Sequence, residues 1–136
     1  MQFCDTLSDN RERMTRFENI QPILRVADIR RSVQYYVEVL GFTKAPWGDF
    51  FTFVVRDRCR IYLCEGSQGQ PGTWVWAGVE DVDELHKEYK ASGAIIRVPP
   101  RNYEWAYEMH VEDPDGHVLR FGSEPKNDRP FEEFIE

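Results

Sequence analysis

The chain has 136 residues, 41% of them hydrophobic, which is enough for one compact core. Its 17 Lys+Arg stand against 24 Asp+Glu, a net charge of −7. That balance argues against nucleic acid as a partner, because binding it needs a basic surface, and it suits a field that attracts cationic small molecules. There is no apolar run long enough to span a membrane and no apolar segment typical of a signal peptide at the N-terminus. A soluble cytoplasmic protein is therefore predicted, and in that compartment Cys4, Cys59 and Cys64, which form no CxxC pair, are expected as reduced thiols.

Residues 1–17 are charge-rich without a clear period and read as an N-terminal extension. In residues 20–26, Pro22, Leu24 and Val26 alternate with Gln21, Ile23 and Arg25, the pattern of a half-buried strand. Pro22 places that strand at a sheet edge, because it has no N–H to donate. Asp28 is a helix N-cap. Ile29, Val33, Tyr36, Val37 and Leu40 then form a helical stripe that Gly41 ends. Short strands are expected near 42–47, 50–56 and 60–65. Residues 66–72 (GSQGQPG) lack the Lys-Ser/Thr ending of a phosphate-binding loop and read as a linker.

The same script then runs a second time. Residues 73–79 (TWVWAGV) alternate, Asp81 caps a helix with Glu84 placed for a capping box, Val82, Leu85 and Tyr89 form its stripe, and Gly93 ends it. Strands are expected near 94–98, 106–112 and 117–122, with the turn Asp113-Pro114-Asp115-Gly116 between the last two. Asp113 and Asp115 are read as turn residues, since a calcium loop needs more acids at fixed spacing. The chain thus divides into an extension (1–17), a first unit (18–65), a linker (66–72), a second unit (73–123) and a C-terminal tail (124–136). Each unit reads β-α-β-β-β, an internal repeat. The expected fold is α+β: two βαβββ modules forming curved mixed sheets around a cleft, with helices on the outer face.

In order and spacing, several segments resemble the vicinal oxygen chelate superfamily, which includes glyoxalases and bleomycin resistance proteins. They are Pro22-Ile-Leu-Arg-Val-Ala-Asp28, Tyr35-Tyr36-Val-Glu-Val-Leu-Gly-Phe42, Phe53-Val-Val-Arg-Asp57 and Val82-Asp-Glu-Leu85, together with the stretch from Asp113 to Phe121. The early proline, Thr73-Trp-Val-Trp76 and the Trp105 segment resemble the bleomycin-resistance branch more closely. Enzymes of the superfamily hold a divalent metal with His, Gln and Glu, and three of those positions match Gln21, Trp74 and Arg120 here. Tryptophan has no donor for a metal and a guanidinium repels one. The resemblance therefore implies no metal and no cofactor. It also implies a homodimer whose clefts lie between subunits.

Strand alternation converges a set of side chains on the cleft: Gln21, Arg25, Phe51, Phe53 and Tyr62 from the first unit, and Trp74, Trp76, Trp105, Glu108, His110 and Arg120 from the second. Flat aromatic faces stack planar rings at about 0.5–1.5 kcal/mol per pair, and tryptophan attracts cations at about 0.5–2 kcal/mol. Trp76 and Phe53 read equally well as core, His86 as a surface residue and His117 as a turn residue. Tyr103 and Glu104 fall in a loop placed to cover the site, and loops 43–50 and 98–105 are expected to set ligand choice. No catalytic triad is arguable. The leading expectation is non-catalytic sequestration of a planar, cationic small molecule such as a bleomycin-class antibiotic. The alternatives are a superfamily enzyme (lyase, isomerase or dioxygenase) with a displaced metal site using Glu108, His110 or Gln21, and a metabolite-binding protein.

Overall fold

The computed structural model describes residues 14–134. Most of the N-terminal extension, with Cys4, lies outside them. Strand β1 (Ile23–Arg25) leads into helix α1 (Ile29–Gln34), followed by β2 (Thr43–Lys44), β3 (Phe51–Arg56) and β4 (Cys59–Cys64). After the turns and bends of 66–72 come β5 (Trp74–Gly78), helix α2 (Val82–Ser92), β6 (Ile95–Asn102), β7 (Tyr107–Glu112) and β8 (Val118–Ser123). The sheets have orders β1-β4-β3-β2 and β5-β8-β7-β6. In each, the first strand pairs parallel with the last and the other pairs are antiparallel. The repeat in the sequence is thus a repeat in topology, and Pro22 precedes an edge strand.

Local chemistry sets the helix ends. The Asp28 carboxylate accepts from the Arg30 and Arg31 N–H groups at 3.1 and 3.3 Å. Asp81 accepts from Glu84 N–H at 3.0 Å. The capping box is only half made, because the Glu84 carboxylate turns instead to Lys87 at 3.3 Å. From Tyr35 to Val39 the first helix widens into a π turn, with Leu40 N–H donating to the Tyr35 carbonyl at 3.0 Å. Strand β6 runs to Asn102 and through Pro99-Pro100, where a loop was expected. It can do so because it is an edge strand with two register shifts, so the missing N–H groups interrupt nothing on its outer side.

One side of each sheet is buried with both helices in a single core. Leu24, Val54, Ile61 and Leu63 of the first sheet join Met109, Val111, Leu119 and Phe121 of the second, with Tyr36, Leu40, Leu85 and Tyr89 between them. Truncating one of these leucines to alanine would cost about 2–5 kcal/mol. On β3, β4 and β5 the opposite parity, including Phe51, Phe53, Tyr62, Trp74 and Trp76, stays partly open.

Polar clasps lock the two units together. Arg56 makes a two-pronged ion pair with Glu88, at 2.7 and 2.9 Å, and donates to the Leu40 carbonyl. The Asp113–Gly116 turn reaches across: Asp115 accepts from Ala27 N–H at 2.8 Å and from the Ser32 hydroxyl at 2.7 Å, while Asp113 accepts from Tyr36 at 2.9 Å. His117, expected as a plain turn residue, is fully buried. Its Nδ1 accepts from Thr73 N–H at 3.0 Å, which places the ring proton on Nε2, where it donates to the Arg25 carbonyl at 2.6 Å. This imidazole therefore ties the start of β5 to the end of β1.

Candidate functional site

The open face of the first sheet carries one aromatic wall. Phe53, Tyr62 and Ile23 lie side by side across β3, β4 and β1, and Phe51 and Arg25 fall one pleat along. Phe51 stacks on Tyr62 with centroids 5.4 Å apart, and Phe53 meets Tyr62 edge-on at 5.6 Å. Arg60 lays its guanidinium 4.1 Å from the Phe53 ring centre. Trp47 joins them, 6.4 Å from Phe51 and 5.6 Å from Phe53. Its carbonyl accepts from Lys44 and Thr52, at 3.0 and 2.7 Å. Gly48, at φ +97°, makes that turn possible, since a Cβ there would sit 2.0 Å from the Phe51 carbonyl oxygen. Trp47 was not foreseen as a site residue; its only signal was a bulky aromatic in the Pro46-Trp47-Gly48 turn of a loop expected to shape ligand choice.

The second sheet carries the other wall. Trp76, Arg120 and His110 are neighbours across β5, β8 and β7, and Glu108 is one pleat from His110 on the same side. Trp74 and Trp76 are 45% and 52% exposed. Glu108 lies beneath this surface at 0% exposure and His110 at 2%, so both support the wall rather than offer themselves to a ligand. The Glu108 carboxylate accepts from Trp76 Nε1 at 3.1 Å, His110 Nε2 at 2.9 Å, Arg120 Nε at 2.8 Å and Arg120 Nη2 at 2.6 Å. Burial alone would raise its pKa. The hydrogen bonds from His110, Arg120 and Trp76 together outweigh burial and hold it below the usual carboxylate range.

Gly122 gives Trp76 its seat. A Cβ at that position would lie 2.8 Å from the indole Cζ2 and 3.0 Å from Nε1. Trp74 meets the His110 ring edge-on at 5.7 Å, and Arg97, paired with Glu112 at 2.7 Å, sits 5.3 Å from the Trp74 ring. Trp105, 52% exposed, stacks on buried Tyr103 at 4.8 Å with ring planes 6° apart. Gln21 makes no side-chain hydrogen bond to either cluster among the described residues. It lines a groove of about 1300 Å³ with Pro22, Cys59, Arg60 and Trp76.

The structure brings together Phe51, Phe53, Tyr62 and Arg25 as one group and Trp74, Trp76, Glu108, His110 and Arg120 as another. No ring of the first group pairs with a ring of the second among the described residues. The superfamily's metal does not fit this donor set. Trp74 cannot ligate, Arg120 occupies the one carboxylate at the centre of the wall, and no group of three His, Cys, Asp or Glu side chains among the described residues could hold an ion. Among the described residues, no helix is long and apolar enough to cross a membrane.

Residues 16–121 match the model of the Glyoxalase/Bleomycin resistance protein/Dioxygenase superfamily. A bleomycin resistance protein of Geobacillus stearothermophilus is 28% identical over 127 residues, covering 78% of this chain and 96% of its own. One from Staphylococcus aureus matches equally. The bleomycin-binding protein of Streptomyces verticillus, solved with copper(II)-bleomycin, superposes with a TM-score of 0.69 at 27% identity, covering 83% of this chain and all of that one. TnmS3, an antibiotic-binding protein of Streptomyces sp. CB03234, shares the fold at a TM-score of 0.71 and 19% identity, covering 82% of this chain and 99% of its own. The chain belongs to the glyoxalase/bleomycin resistance protein/dioxygenase superfamily.

Proposed function

We propose that this protein binds and sequesters a planar small molecule, of the kind represented by bleomycin-class antibiotics, without transforming it. The observation that carries this is the Trp76–Glu108–Arg120 network, which commits the wall's carboxylate to bracing an indole. A carboxylate held below its usual pKa, fully buried and engaged by Trp76, His110 and Arg120 is a poor general base, because it is weakly basic at the working pH and out of a ligand's reach. What the wall offers instead is aromatic surface: three half-exposed indoles, each able to stack a planar ring. The relatives named for bleomycin resistance and bleomycin binding support the same class of ligand.

The finer features of the proposal are a homodimer and a cationic ligand. Each aromatic wall is open on its own sheet, and a planar ligand gains most when both its faces are covered. A second copy bringing its first wall over this second wall would complete two such sites by symmetry. Positive charge on the ligand is supported by the exposed indole faces and by the net charge of −7. Arg25 and Arg60 on the first wall work against it.

The test is titration with bleomycin and a panel of matched planar cationic and neutral compounds, followed by tryptophan fluorescence. Wild type should be quenched, and Trp74→Ala should weaken binding roughly tenfold through lost stacking and burial. His86→Ala, on helix α2, should leave affinity unchanged. Absence of binding below millimolar concentration across the panel would sink the sequestration reading.

A further inference from the structure

The match to the family model ends at residue 121, but the chain continues across its own second wall. Asn102, at the end of β6, is 1% exposed and spends both ends of its side chain on the tail. Its amide donates to the Lys126 carbonyl at 2.9 Å, with longer contacts of 3.4 Å to the Arg129 and Pro130 carbonyls. Its Oδ1 accepts from Lys126 N–H at 2.7 Å. The Glu132 N–H donates to the Asn102 carbonyl, also at 2.7 Å. Lys126 and Arg129 further rest 4.9 and 5.5 Å from the Tyr107 ring centre.

This clamp delivers Phe134 to the site. The Phe134 ring lies 5.7 Å from Tyr103 and 5.7 Å from Trp105, 6.3 Å from His110, and 5.8 Å from the Arg120 guanidinium. Tyr103 and Trp105 are themselves stacked, so a ring equidistant from both stands beside the stack and not on it. The outer face of Trp105 therefore stays open for a ligand. Phe134 forms a side wall to that face, with Arg120 at the base.

We propose that the tail segment 124–134 is part of the ligand site and that Phe134 is a specificity-determining residue within it. This rests on the reading of the second wall as a ligand surface. A planar system wider than one ring, stacked on Trp105, overhangs the edge of the stack and meets Phe134. The tail thus selects for extended planar ligands and is ordered further by them.

The experiment compares wild type, Phe134→Ala, Asn102→Ala and Trp74→Ala in titrations with bleomycin and with ethidium, a tricyclic planar cation. Thermal melts confirm that each variant is folded. Phe134→Ala should weaken binding about 2- to 10-fold, the worth of one aromatic contact. Asn102→Ala, which frees the tail with Phe134 intact, should give a loss of similar size. Saturating probe should slow tryptic cleavage after Lys126. If Trp74→Ala weakens binding while Phe134→Ala stays within twofold of wild type, the tail is not part of the site although the wall is. Tighter binding by Phe134→Ala would make the tail a competitor and overturn the proposal. If wild type binds neither probe, the ligand-wall reading falls and the tail proposal falls with it.

Discussion

Replacing Glu108 with glutamine tests whether the second wall stands on a buried charge. The carboxylate takes Trp76, His110 and two nitrogens of Arg120 at 2.6–3.1 Å. An amide keeps one acceptor oxygen but turns an NH2 group toward donors, and Arg120 loses its counter-charge. Removing one partner of a buried ion pair costs about 3–5 kcal/mol. The Arg120 side chain is 26% exposed, so water recovers part of that. We expect a loss of about 2–3 kcal/mol after this discount. For a chain of this length that lowers Tm by roughly 6–15 °C. The pH dependence follows from the depressed pKa of Glu108. As pH falls, the unfolded chain takes up the proton before the folded one does. The stabilisation is therefore complete above the ordinary carboxylate value of about 4.3 and is lost as pH falls through the lower folded value. Thermal melts of wild type and Glu108→Gln, followed by circular dichroism, should differ by a constant Tm gap from about pH 8 to about pH 5 and converge below. A gap under about 2 °C at neutral pH, below the shift expected even for 1 kcal/mol, would refute the reasoning. So would a gap that widens in acid.

Gly122→Ala should push the Trp76 indole off Glu108, shifting tryptophan emission and weakening planar-probe binding; because half-exposed Trp76 can swing into water, Tm should fall by only the few degrees that about 1 kcal/mol supplies. Asp113→Ala should destabilise by about 2–4 kcal/mol, since it strips acceptors from the Tyr36 hydroxyl and from the Asp115 and His117 N–H groups, whereas Asp113→Asn keeps an acceptor and should cost under about 1 kcal/mol. Burial raises the Asp113 pKa, so the folded state binds the proton more tightly. Wild type should therefore gain stability relative to Asp113→Asn as pH falls through the raised folded value, measured by urea denaturation across that range. Light scattering at micromolar concentration should give twice the 16.1 kDa chain mass, and a clean monomer would remove the two-chain site.

What the sequence made legible was whatever depends on neighbours within a few positions. Asp28 and Asp81 cap helices because their partners are two or three residues away. Trp74 and Trp76 share a face because a strand alternates with period two. The same alternation placed Glu108 and His110 on the right side of β7, but side is not depth: the Trp76 indole and the Arg120 side chain both bond Glu108, and it is buried. His117 read as part of a turn because its partners, Thr73 and Arg25, are 44 and 92 positions away. The strand expected near 94–98 runs on through Pro99-Pro100 to Asn102, because the edge position that tolerates the prolines is a tertiary fact. Phe134 gave no signal at all, since an aperiodic tail acquires meaning only through the Asn102 clamp.

The two walls are built differently, in keeping with the resemblance that puts Trp74 and Arg120 at ligand positions of the superfamily's metal. A metal centre fixes its own geometry through coordination; a stacking wall has to be fixed by its frame. On the second sheet that frame is a charge network, with Glu108 holding Trp76 and Arg120 at set positions and Gly122 leaving the indole room to lie flat. On the first sheet it is ring-on-ring packing, with Trp47, Phe51, Phe53 and Tyr62 bracing one another and the Arg60 guanidinium over Phe53. A charge network resists displacement but is sensitive to pH and to single substitutions. A packed aromatic cluster depends on no titrating carboxylate and tolerates volume-conserving swaps. Joined across a two-chain cleft, the second wall would set the orientation of a bound ring, and the first would accommodate differences among ligands that present the same ring.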